Sequence, residues 1–468
     1  MSMPPSLPFL DQTLRAVARR YRLPAMDDRS DQIKKANPSA AIAMVIEKAR
    51  EAKVRGETPD PELKRVFIEA LARMIREAMR PESGDPAFQA MVLRHGAAQV
   101  REYASLSAHA DQDRRLIHTV VDAIAHPAKQ QRLALGRQRD SLANVHALAS
   151  AASWSELFDT TRTLLAMPEI ADGSPLERGL TKLLDSPALK RLRRLETLAS
   201  DELVRRYQSL WDRHGPRSGS PAAFAQGSVS KQRGAAVEAL AARAIQALAR
   251  RLNEKEGSGA PYRAVTSMRV PASIPGSSHR AKTEWDVALL RRAQAMDARP
   301  VWEVCLLVEA KASVDAAASD LPRLLRGLRL LAQAEENAVY PFRTEEGTMQ
   351  LLGSSLRALR HDEAGLAGTV LYCCDAPADA APRLFGAASR MQLLSATASL
   401  KFADSLAEKH DANPQSLESI WRQLLDSPSW GAVLHQSAML RQVRELMVHT
   451  DDLLDAVHRV SRGEPSSA

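Results

Sequence analysis

The sequence predicts a mainly α-helical protein that carries one embedded α/β core of αβββαβ order, and three observations predict it. Ala, Leu and Arg recur throughout, while aromatic residues make up 4% and only 21 of 468 residues are Gly, a mix that favours helix over sandwiches and barrels. Apolar residues recur at three- and four-residue steps over most of the chain, the spacing of one helical face. Continuous or alternating β-type runs are confined to a single stretch, so any mixed sheet must be built there.

Taken in order, residues 1–211 read as a helical domain. In Val66-Phe67, Ala70-Leu71 and Met74-Ile75 the apolar pairs recur on one face, and Pro81-Glu82-Ser83-Gly84-Asp85-Pro86 stops that helix. Further stops fall near Pro127, Pro168 and Pro187. Residues 212–230, which include Gly215-Pro216-Arg217-Ser218-Gly219-Ser220-Pro221, have the composition of a linker. The α/β core spans residues 231–400: a helix over about 234–252, strands over 262–270, 283–291 and 301–311, a helix over about 316–335 and a strand over 369–374. Residues 401–468 return to a helical pattern and form a C-terminal helical segment.

Several function classes are excluded on composition and motif. No run of about 18 uncharged apolar residues exists, so no spanning helix is expected and no membrane partner. The opening Met1-Ser2-Met3-Pro4-Pro5-Ser6 lacks a basic segment followed by an apolar one, which makes the cytoplasm the expected location. Cys305, Cys373 and Cys374 have no zinc-ligand spacing and read as small strand residues. Neither a P-loop nor a GxGxxG motif occurs, so a nucleotide cofactor is not expected. The net charge of +8 permits a polyanionic partner without demanding one.

The chemistry concentrates at one strand end. Trp302-Glu303-Val304-Cys305-Leu306-Leu307-Val308 is almost continuously apolar, as in a strand covered on both faces, and it runs into Glu309-Ala310-Lys311. With a side-chain period of two, Glu309 and Lys311 point to the same side. The preceding strand offers Asp286, with Glu284 on the same face and Trp285, Val287 and Leu289 on the other. If the two strands pair, Asp286 lies beside Glu309. Two carboxylates that close repel unless a cation sits between them, and a hard divalent ion such as Mg²⁺ takes few carboxylates together with water and phosphate oxygens. Taken alone, an ExK tripeptide reads as a solvated strand end; the apolar strand and Asp286 shift the reading to a metal site.

Asp286 followed by Glu309-x-Lys311, within an αβββαβ order, resembles the PD-(D/E)xK nuclease superfamily over residues 230–400. The resemblance implies a restriction-endonuclease-like mixed sheet and a Mg²⁺-dependent phosphodiesterase, with Mn²⁺ as a substitute, acting on nucleic acid and on DNA in preference. It implies that Asp286 and Glu309 bind the metal, that the backbone carbonyl of Ala310 completes the site, and that Lys311 orients or polarises the attacking water. Glu238 matches the Glu that members commonly carry on the first core helix, and Asp320 or Gln333 matches a polar residue on the helix after ExK. Trp285 stands where the family name has Pro. A core of this kind that has lost catalysis would serve instead in nucleic-acid binding or protein assembly.

Two basic groups complete the reading. Arg323, Arg326 and Arg329 recur every third residue on the helix after ExK and are candidates to meet a phosphate backbone. Lys190-Arg191-Leu192-Arg193-Arg194 and Arg205-Arg206 form a second cluster in the helical region.

Overall fold

A computed structural model describes residues 8–22, 37–131, 134–216, 219–256, 261–293, 300–360, 362–378, 383–408 and 412–462. The opening six residues and most of the loop expected between the second and third strands lie outside these. Among the described residues, no helix is long and apolar enough to cross a membrane. The chain divides into two compact units. One gathers residues 72–217 and 394–417; the other gathers residues 1–71, 218–393 and 418–468. These units cut across the expected segments, since the first 71 residues group with the strands.

The first unit is helical. Its helices begin where the sequence supplies caps: Asp85 accepts from the Phe88 amide, Ser174 from Glu177 and Asp201 from Leu203 and Val204. Proline fills the first turn of Pro86–Gly96, Pro175–Asp185 and Pro187–Ala199, where its missing N–H costs nothing. Ile117, Val121, Leu142, Leu157, Leu180 and Leu189 meet in a core from which water is excluded.

Among its described residues, the second unit holds seven strands: β1 Tyr262–Arg269, β2 Glu284–Arg292, β3 Val301–Ala310, β4 Val339–Thr344, β5 Gly347–Leu352, β6 Val370–Cys374 and β7 Met447–His449. β2 lies antiparallel between β1 and β3, with Val287 opposite Val308. The hairpin β4–β5 joins β1 through the pair Arg269 and Arg343, and joins the start of β3 through Val301 and Trp302 opposite Gln350 and Leu351. The ring β2-β1-β4-β5-β3 therefore closes into a five-stranded mixed barrel, and β6 and β7 extend it in parallel from the far half of β3.

This overturns the expected open, restriction-endonuclease-like mixed sheet. The αβββαβ order is interrupted by β4 and β5, which follow the helix Val314–Leu331 and turn through Gly347 at φ +114°. Pro341 inside β4 hides that strand from a pattern search, because proline removes a ladder donor. It is tolerated there because β4 meets β1 through the single pair at Arg343. The linker expected over 212–230 is also shorter than its composition suggests, since one helix runs Pro221–Glu256. The C-terminal segment is not purely helical, because it supplies β7.

Two helical layers cover the sheet. On one side Val237, Ala241 and Leu248 of the long helix pack with Val287, Leu306 and Val308. On the other, Leu321, Leu324 and Leu328 of Val314–Leu331 pack with Trp285, Leu307 and Tyr372. Trp285 thus faces the opposite layer from Val287 and Leu289, contrary to strict alternation. At the same place Ser267 of β1 adopts φ +50°, and no regular pair forms between Thr266–Val287 and Met268–Trp285. Every residue of β6 is buried, which gives Cys373 and Cys374 the packing role expected of them.

Candidate functional site

Asp286 and Glu309 do converge, because β2 and β3 pair in the register that places them side by side. The Ala310 amide donates to Asp286 Oδ2 at 2.8 Å, fixing that carboxylate against the end of β3. Lys311 Nζ lies 3.0 Å from Glu309 Oε2, 3.8 Å from Asp286 Oδ2 and 3.8 Å from Asp320 Oδ2. Asp320 is one of the two polar residues weighed on the following helix. Gln333 lies beyond that helix, beside Gly276. Tyr372, which stands opposite Glu309 on β6, donates its hydroxyl to Asp320 at 3.3 Å.

A sixth side chain was not anticipated. Lys282 Nζ donates to Glu309 Oε2 and lies 3.8 Å from Asp286 Oδ1, with only 5% of the residue exposed. Its one legible signal is the four-residue step to Asp286, easily passed over because Lys282 precedes the strand. Two ammonium groups therefore converge on one carboxylate oxygen, while the other, Glu309 Oε1, is buried without a hydrogen-bond partner.

The electrostatics follow from burial. Glu309 is fully inaccessible, and desolvation pushes its carboxyl up to about 7; the like charge of Asp286 adds to this, and Lys282 and Lys311 oppose it. Burial acts to lower Lys311, but Glu309, Asp286 and Asp320 outweigh it and hold the ammonium above its ordinary range. Burial, Asp320 and Glu309 together raise Tyr372, keeping its hydroxyl a donor.

Glu238 sits on the long helix, in the layer across the sheet. It is exposed, and its carboxyl is raised first by partial burial and then by the negative charge of Asp286. It belongs to the same electrostatic neighbourhood but not to the contact cluster. Ala310 follows Glu309 at the end of β3, where it pairs with Cys373 of β6 and its amide is engaged by Asp286.

The basic residues also make contacts within the protein. Arg326 Nε donates to the Arg280 carbonyl at 2.8 Å, and the Arg323 carbonyl accepts from the Lys282 amide at 3.0 Å. Both positions thus hold the segment that carries Lys282. In the helical unit, Arg191 grips Asp113, Arg194 grips Glu102, and Arg193 lies 3.8 Å over the Phe158 ring. Much of that cluster binds its own unit.

The donor set bears on the metal the sequence implied. Among the described residues, no three His, Cys, Asp or Glu side chains are gathered for one ion. Asp286 and Glu309 lie side by side, and Glu309 presents a buried acceptor with no donor, the kind of oxygen that a cation satisfies. Asp286, Glu309 and Asp320 bring three carboxyl groups to the two lysines Lys282 and Lys311. The cluster thus fits a cation held by two carboxylates, with phosphate or water completing its shell. No family model, curated protein or solved structure matches the chain.

Proposed function

We propose that this protein is a metal-dependent nuclease that hydrolyses phosphodiester bonds, in DNA by preference, as a variant of PD-(D/E)xK chemistry carried on a closed barrel. The observation that carries this reading is the meeting of Asp286, Glu309 and Lys311 at the end of β3, with Lys311 touching both carboxylates. Lone acid–base pairs at strand ends are common, but a buried glutamate flanked by a second acid and two lysines is costly to fold and is the kind of arrangement retained for chemistry.

Asp286 and Glu309 would hold Mg²⁺ or Mn²⁺, which when bound supplies positive charge to the scissile phosphate and lowers the pKa of a bound water. Lys311 sits where its ammonium can hold that water or neutralise a phosphate oxygen as charge builds in the transition state. Asp320, braced by Tyr372, fixes Lys311 from its far side so that the ammonium is aimed before substrate arrives. Exclusion of solvent around Glu309 strengthens each of these interactions. The helical unit would then contribute to substrate or partner choice.

The test is cleavage of plasmid, linear duplex, single-stranded DNA and RNA in Mg²⁺ or Mn²⁺, with Asp286→Ala and Lys311→Ala prepared in parallel. Metal-dependent cleavage by the wild type that both substitutions abolish supports the reading. Equal activity in all three proteins refutes it. Binding of nucleic acid without cleavage would select the inactive-module reading.

A further inference from the structure

We infer that Lys282 is a resident cation that occupies the Glu309 end of the site, and that a divalent ion binds there by displacing its ammonium. The inference rests on the reading of Asp286 and Glu309 as cation ligands and says how that site is kept when no metal is bound. It begins from an asymmetry between the two lysines. Lys311 reaches three carboxylates, one of which, Asp320, stands apart from the proposed ligands. Among the described residues, Lys282 reaches Glu309 and Asp286 and no third carboxylate. If a cation takes those two carboxylates, Lys311 keeps a counter-charge and Lys282 is left facing like charge. The lysine that yields is therefore Lys282.

The position of Lys282 is built and not incidental. Arg280, two residues earlier, adopts φ +56°, a left-handed conformation that a residue with a side chain enters only at a cost. Arg326 secures that turn by donating to the Arg280 carbonyl, and the Lys282 amide donates to the Arg323 carbonyl. Gly327 lets the helix approach this closely, since a Cβ there would meet the Lys282 carbonyl oxygen at 2.7 Å and its Cβ at 2.8 Å. Three contacts from one helix thus clamp the backbone of Lys282 and leave its ammonium, four bonds beyond Cβ, as the movable part. A stand-in cation must return to the same oxygen each time the metal leaves, and a fixed backbone beneath a free side chain provides for that return. The orphaned Glu309 Oε1 agrees with this, because an ammonium shared with Lys311 at Oε2 satisfies only half of a carboxylate that a metal would engage more fully.

The experiment is Mn²⁺ titration of the full chain by calorimetry, independent of any cleavage. Removing the competing charge in Lys282→Met should tighten Mn²⁺ binding by ~10-fold or more, because a unit charge in contact with the site no longer opposes the ion. Lys282→Gln, which keeps a polar side chain, should behave as Met does and serves if the Met variant fails to fold. Lys282→Arg keeps the charge and should bind no tighter than wild type. Asp286→Asn should weaken binding in both the wild-type and the Lys282→Met backgrounds. Mn²⁺ binding that depends on Asp286 but is unchanged or weakened by Lys282→Met and Lys282→Gln overturns the inference and leaves the metal site standing. Absence of Mn²⁺ binding in every variant overturns both.

Discussion

Asp113 of the helical unit and Glu309 of the barrel unit are both buried carboxylates, and they are treated in opposite ways. In the helical unit Asp113, 2% exposed, receives both of its oxygens' bonds from one guanidinium, with Arg191 Nε at 2.8 Å and Nη2 at 2.5 Å. In the barrel unit two lysines converge on a single oxygen of Glu309 and leave the other orphaned. A planar fork matches a carboxylate atom for atom, while ammonium groups act as point charges and can crowd one side. The first arrangement engages both oxygens with one fork and reads as structural. The second retains unused acceptor capacity and charge that can be moved, which is what a binding site requires.

The comparison is broken most sharply by removing its chemical half. Lys311→Ala and Asp286→Ala should lower metal-dependent cleavage by ~10²–10³-fold, as loss of a charge-stabilising group does, with the fold checked by circular dichroism. Next in size, Gly327→Ala drives a methyl group into the Lys282 backbone; overpacking of this kind costs ~1–3 kcal/mol, and urea unfolding should show it together with a loss of activity. Arg191→Ala should give a loss of stability of about 2 kcal/mol, moderated because the guanidinium is partly exposed, and should leave Mn²⁺ affinity unchanged. If it instead altered Mn²⁺ affinity, the two carboxylates could not be assigned separate roles. The smallest effect belongs to Arg291→Ala. Its pair with Glu303, at 2.6 Å, sits near the other end of the β2–β3 ladder and is partly open to solvent, so unfolding should move by less than ~1 kcal/mol.

The strands and the helix between them were largely legible. Runs read at 262–270, 283–291, 301–311 and 369–374 correspond to Tyr262–Arg269, Glu284–Arg292, Val301–Ala310 and Val370–Cys374, because burial on both faces writes a continuous apolar signal into a strand. The hairpin was not, because Pro341 and the polar turn after Thr344 break the run, although Tyr340 and Phe342 do alternate with exposed neighbours. At the site, Asp286, Glu309 and Lys311 were visible as a spacing and Asp320 as one of two choices. Tyr372 reads as one more apolar residue of a buried strand, and Lys282 as one more charge in a loop. Only contact gives either of them a role.

Local sequence therefore determined where four of the strands and the helix between them lie and which strand end is charged, since periodicity, caps and turn residues act over a few neighbours. Whether the sheet stays open or closes was decided by tertiary structure, because closure rests on a few pairings between β4–β5 and strands far away in the chain. The same holds for Lys282. Its encounter with Glu309 depends on a left-handed turn at Arg280 and on a glycine in a helix more than forty residues later, a coincidence of packing that no local pattern encodes.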